Sequence, residues 1–554
     1  MTPRADLIID GRVATLAGDS GFGWQPGLAI AGDRVVATGT ANELEVIAGP
    51  RTRRWRLTDD QVVMPGITDA HLHLMSVTLA ESQIDLTGTD LVVALELVRE
   101  GDRRLRERGD EKGWLLGHGW TIHDFGQWPD AEMLEQAAPG RPLALYAHDH
   151  HSRWVSAAAM RLAAIDSATA DPPGGMIRRD DRGSPTGILH ETASALVDRA
   201  IPDPSAAEIE AALARVSDRL LALGITGCHD PGELGPDTRI SRGPLLYRDL
   251  AGRNRLALHV HASIRAPQLD RAIEVGLRSG QSLGRYRMGW LKLFADGSLG
   301  SRSAALLEPY TDADSRPPTG GPKGMFLTER EELADLVRRA EGAGICAQVH
   351  AIGDAAVRMV LDVFEAQVPS ADTKSLPLMR RIEHAQLVNP ADVPRFGRLN
   401  IAASVQPVHL RSDAEAAQIA WGGRVENAFP LAGLAGSGGL IPFGTDAPVE
   451  PPDPWPGIAV AVARRDPVDP DAQPLAPQQA INLPRALRAA CLDPALASGQ
   501  SDVGRLVAGQ VANLVVIPAA ALDETSDARV LASTRPLATV VDGQLAYRGE
   551  AFDP

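Results

Sequence analysis

"VVMPGITDAHLHL" (residues 62–74) is an apolar, partly β-branched stretch that ends in two histidines, and it predicts a buried strand. Residues two apart in a strand share a face, so Asp69, His71 and His73 are expected to point the same way. Burying such groups is costly unless something pairs with them. A metal ion would do so, although one His-x-His motif is short enough to occur in an ordinary hydrogen-bonded core.

Seven further runs have the same character and alternate with helical patterns. Short strands separated by helical segments, such as residues 329–344, indicate parallel βαβ units. Eight such strands predict an α/β fold, a (β/α)8 barrel, with the functional site at the carboxyl ends of its strands. The eight runs are residues 62–74, 224–230, 255–263, 288–297, 344–353, 380–387, 400–410 and 440–448.

The rest of the chain predicts two additions to the barrel. Both ends carry short β-branched runs broken by glycine and aspartate, which predicts one composite β-sandwich from residues 1–62 and 500–554. The barrel then comprises residues 63–85 and 211–499. The remaining segment, residues 86–210, is too long for a loop and is predicted to be an inserted lid domain that determines substrate specificity.

Composition excludes several classes of function. Lys plus Arg number 55 against 71 Asp plus Glu, a net charge of −16, which disfavours nucleic acid and anionic membranes as partners. The three cysteines, Cys228, Cys346 and Cys491, are far apart and predict neither a disulfide framework nor a thiolate zinc site. Without an apparent signal peptide or membrane span, the expected location is the cytoplasm.

Four more polar side chains stand near the ends of predicted barrel strands. Lys292 lies in the fourth strand, while His350, His384 and Asp446 end the fifth, sixth and eighth. Neutral imidazole and carboxylate suit zinc, and also iron or manganese. A buried lysine is rare unless paired, so Lys292 either forms a salt bridge with Asp69 or Asp446 or is carbamylated and bridges two metal ions. The whole set favours a metal site over chance.

The chain resembles the amidohydrolase superfamily, and specifically its YtcJ-like branch, which includes N-substituted formamide deformylase. Nine segments carry the resemblance in family order along nearly the whole chain. They are "VVMPGITDAHLHL", "GHGW", "ILHETA", "WLKLFADGSLGSRSAAL", "VHAIGDAAV", "RIEHAQ", "VQPVHL", "GTDAPVE" and "GRLVAGQVANLVVI". The resemblance implies a metal-dependent hydrolase with a distorted barrel, a composite β-sandwich, a small-molecule substrate and a homodimeric assembly.

The resemblance also implies roles for single residues. His71 and His73 would bind the more buried metal ion, and His350 and His384 the second. Lys292, as its carbamate, would bridge the two ions, with zinc the expected metal. Asp446 would contact the first ion, accept a proton from the metal-activated hydroxide nucleophile and return it to the leaving amine.

Seven further residues are predicted to contact substrate, with a place in the core of the insert the equally favoured alternative for Trp120. Trp120 and His151 come from the insert, and the others follow or end barrel strands, where the site of this fold lies. The set is Trp120, His151, His229, Asp296, Arg302, Gln406 and His409. A second His-x-His pair, His259 and His261, has no family motif around it and is expected to be structural or, at most, to support the site without touching substrate or metal.

Two other functions remain open from the sequence. One is a mononuclear deaminase on the same barrel, which would not need Lys292. The other is a non-catalytic ligand-binding barrel, although every expected ligand position is filled. The favoured hypothesis is hydrolysis of an amide-type C–N bond in a small molecule, such as an N-substituted formamide.

Overall fold

The computed structural model of the chain describes residues 4–18, 21–81, 83–147, 152–172, 175–234, 241–313, 321–367 and 376–553. The strands are β1 (Leu7–Ala14), β2 (Trp24–Ala31), β3 (Arg34–Thr38), β4 (Arg53–Arg56), β5 (Gln61–Pro65), β6 (Ile67–Asp69), β7 (Ile84–Asp85), β8 (Leu115–Trp120), β9 (Leu143–Ala147), β10 (Ser152–Val155), β11 (Gly175–Arg179), β12 (Pro185–Glu191), β13 (Ile225–Asp230), β14 (His259–Arg265), β15 (Ser282–Leu283), β16 (Tyr286–Phe294), β17 (Ala347–Ala351), β18 (Arg380–His384), β19 (Ile401–Ser404), β20 (Leu514–Pro518), β21 (Ala538–Val541) and β22 (Gln544–Arg548).

The α-helices are α1 (Ala41–Glu45), α2 (Leu74–Ala80), α3 (Leu91–Glu107), α4 (Ile122–Phe125), α5 (Ala131–Ala137), α6 (Ala157–Leu162), α7 (Ala195–Asp198), α8 (Ala206–Ala222), α9 (Gly243–Gly252), α10 (Leu269–Glu274), α11 (Arg330–Gly342), α12 (Asp354–Ala366), α13 (Val393–Arg398), α14 (His409–Trp421), α15 (Leu431–Gly436), α16 (Pro454–Ala463), α17 (Leu483–Ala497) and α18 (Ala528–Ala532). Within the described residues, none of them is long and apolar enough to cross a membrane.

The chain divides into two compact units. One combines Met1–Val77 with Ala214–Pro554, and the other is Thr78–Leu213. The second unit contains the predicted insert. It is built on a mixed sheet in the order β11-β12-β10-β9-β8-β7, and its core includes Trp120, Trp154 and Leu145.

The first unit is organised around a parallel sheet in the order β6-β13-β14-β16-β17-β18-β19. Helices connect these strands, and the longer ones pack against the sheet by an apolar face. In α12, the buried residues Val357, Val360, Leu361 and Phe364 recur at helical spacing along one face. Because every connection runs through a helix, the carboxyl ends of the strands meet at one end of the sheet.

The predicted eighth strand is not a regular strand, yet it closes the sheet into a barrel-like ring. On one side, Val405 N donates to Pro442 O at 2.9 Å. On the other, Ala70 N donates to Phe443 O at 2.8 Å and Asp446 N to His71 O at 2.7 Å. Proline has no N–H to give to a ladder, so Pro442 and nearby Pro448 explain why residues 440–448 pair only intermittently.

Strands from both ends of the chain share one further sheet, in the order β22-β21-β20-β5-β1-β2-β3, with β4 paired to β1. The link between the two ends is the antiparallel pair β5 and β20, in which Val63 lies opposite Val516. Its apolar core includes Ile9, Val63 and Leu514. The sequence predicted a composite β-sandwich from the two termini; the structure shows strands of both ends in one sheet, and the sandwich itself stays a prediction.

Candidate metal centre

The His-x-His motif lies just beyond the first barrel strand rather than within it, because β6 ends at Asp69. The backbone nevertheless stays bound to both neighbours: Leu72 N donates to His229 O at 3.0 Å, and His73 N to Ala447 O at 3.0 Å. The Asp69 carboxylate accepts from His71 N at 3.0 Å and from Thr445 Oγ1 at 2.6 Å. Asp69 therefore ties the motif to the closing segment and does not itself face the site.

Each imidazole of the motif is oriented through its Nδ1 atom. His71 Nδ1 donates to Glu383 Oε2 and His73 Nδ1 donates to the Gly232 carbonyl, both at 2.5 Å. A neutral imidazole that donates through one nitrogen carries its lone pair on the other. Both histidines therefore present Nε2 as the ligating atom, the arrangement expected of metal-binding histidines with an outer hydrogen-bond partner.

The two later histidines follow the same rule. His384 Nδ1 donates to Gln406 Oε1 at 2.8 Å, which leaves Nε2 as the acceptor. His350 Nε2 donates to the Gly297 carbonyl at 3.0 Å, which leaves Nδ1. The His350 and His384 rings lie 4.4 Å apart, and the His384 and His71 rings 5.0 Å apart, between centroids. The four histidines predicted as ligands thus form one contiguous group.

Asp446 completes this group. Its Oδ1 lies 3.4 Å from His71 Nε2 and 3.2 Å from His73 Nε2. His71 Nε2 and Asp446 Oδ1 are buried and have no hydrogen-bond partner among the described residues. Buried polar atoms are normally paired, so two of them facing each other across 3.4 Å fit a divalent cation held between them.

The ionisation of the group favours metal binding. Burial and the nearby Lys292 charge lower the pKa of His71 to about 4, and burial lowers that of His350 to about 3. Burial alone would raise the pKa of Asp446, but His71 and its other imidazole neighbours hold it well below its usual range. Neutral imidazoles and an ionised carboxylate are the ligand forms.

Backbone conformation turns two of these residues toward the site. His384 has φ 72° and Asp446 has φ 62°, the left-handed region that side chains other than glycine rarely adopt. Consecutive strand residues normally point to opposite faces. The left-handed turn at His384 lets it and the preceding Glu383 both serve the same site, and such conformations concentrate at functional sites.

Lys292 lies on β16 and is 1% exposed. In the described part of the chain its ammonium group forms no ion pair, so the predicted alternative of a salt bridge to Asp69 or Asp446 is not found. Its Nζ lies 4.8 Å from the centroid of the Phe294 ring. Burial lowers the pKa of Lys292 to about 8.

His409 stands beside the group as a cation. Nε2 lies 3.1 Å from Asp446 Oδ2, and Nδ1 3.7 Å from Glu450 Oε1. Burial alone would lower the pKa of His409, but the two carboxylates raise it to about 10. Ligand atoms of His384, His409 and Asp446 lie within 4.8 Å of one another, so these three residues form a second group with the spacing of metal ligands. In the absence of a metal ion, the hydrogen bond from His409 Nε2 holds the Asp446 carboxylate in place.

The other predicted substrate contacts have mixed outcomes. Gln406 contacts His384 and orients it, as described above. His229 is buried on β13, where its Nδ1 faces Arg381 Nη1 at 2.8 Å. Its Nε2 is unpaired among the residues described. His151 lies outside the described residues.

Asp296 and Arg302 hold the loop after β16 together. The Asp296 carboxylate accepts from the backbone N–H groups of Ala305, Ile352 and Gly353 at 2.9–3.0 Å. Arg302 donates through Nη2 to Asp312 Oδ2 at 2.9 Å and through Nη1 to Leu299 O at 2.9 Å. Both side chains are thus held by the protein itself, and their contact with substrate stays a prediction.

Trp120 lies within the inserted unit. It is 1% exposed, its Nε1 donates to Leu145 O at 2.9 Å, and its ring packs against Phe125 and Trp154. It belongs to the core of the inserted unit.

The second His-x-His pair lies on β14, and its structural role stays a prediction. His259 Nε2 bonds Asp542 Oδ1 at 2.8 Å. His261 packs against His229 with ring centroids 4.7 Å apart.

Sequence reasoning missed Glu383 and Arg381, which support the centre from within β18. Glu383 accepts from Arg381 Nε at 2.8 Å as well as from His71. The sequence offered one signal, namely two charged residues within a predicted barrel strand. Charged side chains are almost never fully buried unless they are paired, so an internal partner could have been expected.

A barrel-like α/β fold with neutral imidazoles and a carboxylate gathered at the carboxyl ends of its strands defines a metal-dependent hydrolase. The chain belongs to the amidohydrolase family, whose model matches residues 59–547. The Bacillus subtilis protein YtcJ, named as an amidohydrolase, is 32% identical over 437 residues, covering 78% of this chain and 79% of its own.

Two further proteins are similar over most of their length. N-substituted formamide deformylase of Arthrobacter pascens is 28% identical over 568 residues, 99% of each chain. The crystal structure of an uncharacterized metal-dependent hydrolase of Pyrococcus furiosus matches with a TM-score of 0.73 and 28% identity, covering 92% of this chain and 98% of its own.

Proposed function

We propose that the protein hydrolyses an amide-type C–N bond, other than a peptide bond, in a small molecule such as an N-substituted formamide. The observation that carries the proposal is the group of four imidazoles, each held by a hydrogen bond so that its lone pair is available, around the buried Asp446. The similarity to N-substituted formamide deformylase, 28% identical over 99% of both chains, supports the substrate class.

We assign the ligands to two sites. His71, His73 and Asp446 would hold one divalent ion, and His350 and His384 a second, with zinc the first candidate and iron or manganese the others. Lys292 would bridge them as its carbamate, which suits a buried amine with no ion-pair partner in the described chain. Such ions supply a water acidic enough to ionise near neutral pH and polarise a carbonyl.

Asp446 is the proposed acid–base group. Its Oδ1 faces the two imidazoles of the His-x-His motif, and its Oδ2 accepts from His409 Nε2 at 3.1 Å. In this position Asp446 would take a proton from the attacking water and return it to the leaving nitrogen. The hydrogen bond from His409 fixes the carboxylate plane during both transfers.

The inserted unit, Thr78–Leu213, is our candidate for substrate selection, in keeping with the lid predicted for residues 86–210. We also propose a cytoplasmic location. A reducing compartment suits Cys228, Cys346 and Cys491, which are buried free thiols.

A panel of N-substituted formamides and small amides tests the proposal, with formate or carboxylate and free amine measured as products. We expect turnover that a chelator abolishes and added zinc, iron or manganese restores, and that Asp446→Asn nearly eliminates. Asp553→Asn, at a surface carboxylate 99% exposed, is the matched control and should keep full activity. Ammonia release from amino-substituted rings, with none from amides, would contradict the proposal and favour the deaminase.

A further inference from the structure

Arg381 places a fully buried guanidinium in the interior of the barrel. It donates to Glu383 Oε1 at 2.8 Å, to the Ala70 carbonyl at 2.7 Å and to Ser404 Oγ at 2.6 Å, and it contacts His229 Nδ1 at 2.8 Å. One side chain therefore joins β13, β18, β19 and the segment that follows β6. Ala70 is also the residue directly before His71.

Glu383 connects this guanidinium to the metal centre. Its carboxylate is 0% exposed and is shared between Arg381 and His71 Nδ1, which lies 2.5 Å from Oε2. The other three imidazoles are held by neutral partners: the carbonyls of Gly232 and Gly297, and the amide of Gln406. Among the four histidines of the centre in the described residues, His71 is the one whose orienting hydrogen bond goes to a charged group, although His350 Nε2 also lies 3.7 Å from Asp296 Oδ1.

A buried ion pair such as Arg381–Glu383 does not by itself show that the fold is stabilised, since apolar residues of similar volume often pack a core equally well. We expect this pair to act on the geometry of the metal site instead. A carboxylate behind a metal-binding histidine fixes the ring and its tautomer and makes the ligating nitrogen more basic. Through Ala70 and Glu383, Arg381 fixes both the backbone and the ring of the His71 region.

We propose that Arg381 and Glu383 are positioning residues that set the affinity of the site formed by His71, His73 and Asp446 for its divalent ion. The inference rests on the proposed function, because it requires that this site binds a metal. We expect an effect on one of the two metal ions, since among the described residues neither Glu383 nor Arg381 hydrogen-bonds His350 or His384.

The test is zinc titration of chelator-stripped protein against a chromophoric competitor, together with thermal unfolding of the stripped protein. Glu383→Gln keeps the shape of the side chain and removes its charge. The paired change Arg381→Met with Glu383→Gln avoids an unpaired buried charge should the single variant fold poorly. We expect one zinc ion to bind about 10- to 100-fold more weakly in both variants, with the other unchanged.

Arg380→Lys is the matched control. Arg380 lies in the same strand, is 7% exposed and forms a bidentate pair with Glu341 at 2.8 and 2.6 Å, so its replacement loosens a buried ion pair without touching His71. We expect it to lower the unfolding temperature and to keep wild-type zinc affinity.

If wild type and the Glu383 variants bound zinc equally well, the inference would be wrong and the proposed function would stand. The same would follow if Arg380→Lys lost as much zinc affinity as the Glu383 variants. Wild-type protein that binds no zinc, iron or manganese would refute the proposed function and the inference together.

Discussion

Replacing Asp542 by asparagine removes one charge from the junction between the terminal sheet and the barrel. Asp542 lies between β21 and β22, where Oδ1 contacts His259 Nε2 and Oδ2 contacts Arg285 Nε, both at 2.8 Å. Its own N–H donates to Asn513 Oδ1 at 2.8 Å. Its φ is 52°, a conformation that asparagine also tolerates, so the substitution tests the charge and not the backbone.

The expected magnitude follows from the pKa. Burial alone would raise the pKa of Asp542, but the hydrogen bonds from His259 and Arg285 lower it from 3.8 to about 2. The side chain is 26% exposed, so solvent screening is limited. At 1.36 kcal/mol per pKa unit, the charged form contributes about 2 kcal/mol to the free energy of unfolding at neutral pH.

The sign of the pH dependence is fixed by the direction of the shift. A carboxylate with a lowered folded-state pKa stabilises the protein above its unfolded pKa of about 4, and this stabilisation is lost as the pH falls toward about 2. The difference between wild type and Asp542→Asn should therefore be constant from pH 7 to about 5 and shrink below about 4.

Urea unfolding followed by tryptophan fluorescence measures this difference. The control is Asp553→Asn, whose ion pair with Arg548 is solvent-exposed and should change the unfolding free energy by less than about 0.5 kcal/mol. Equal stability of Asp542→Asn and wild type at pH 7, or a difference that grows as the pH is lowered to 4, would refute the reasoning.

Three further predictions concern the centre and the insert. Lys292→Ala should lower the metal content from about two equivalents toward one and abolish amide hydrolysis; full metal content and activity would exclude a bridging lysine. Asp446→Asn should lower kcat by about 10²- to 10⁴-fold in steady-state assays; an unchanged kcat would remove Asp446 from proton transfer. Trp120→Phe loses the hydrogen bond to Leu145 O and should cost about 1 kcal/mol of stability without changing KM; a raised KM at unchanged stability would return Trp120 to the substrate site.

The polar ends of the barrel strands could be predicted from the sequence because the topology alone brings them together. Parallel strands joined by helices direct their carboxyl ends to one side. The residues that end or follow those strands, such as His350, His384 and Asp446, were therefore identifiable without knowing their contacts. The pairing of the two chain termini was predictable for a similar reason, since short β-branched runs need partners.

Two kinds of detail could not be predicted: unusual backbone conformations, and the hydrogen-bond partners of individual side chains. The left-handed conformation of His384 breaks the alternation of the strand, and no pattern in the sequence signals it. Asp296 and Arg302 follow a barrel strand, as a substrate contact would, yet their hydrogen bonds go to neighbouring loops. Position in the barrel predicts where a side chain lies, but not which partner occupies its polar atoms.

Metal content per chain is the most direct test of the central claim. It is measured by plasma mass spectrometry on protein purified without chelators or a histidine tag. We expect about two equivalents of zinc, iron or manganese per chain, falling toward one in Lys292→Ala. One equivalent in both proteins would contradict the bridged pair, and none, with no activity restored by added metal, would contradict a metal-dependent hydrolase.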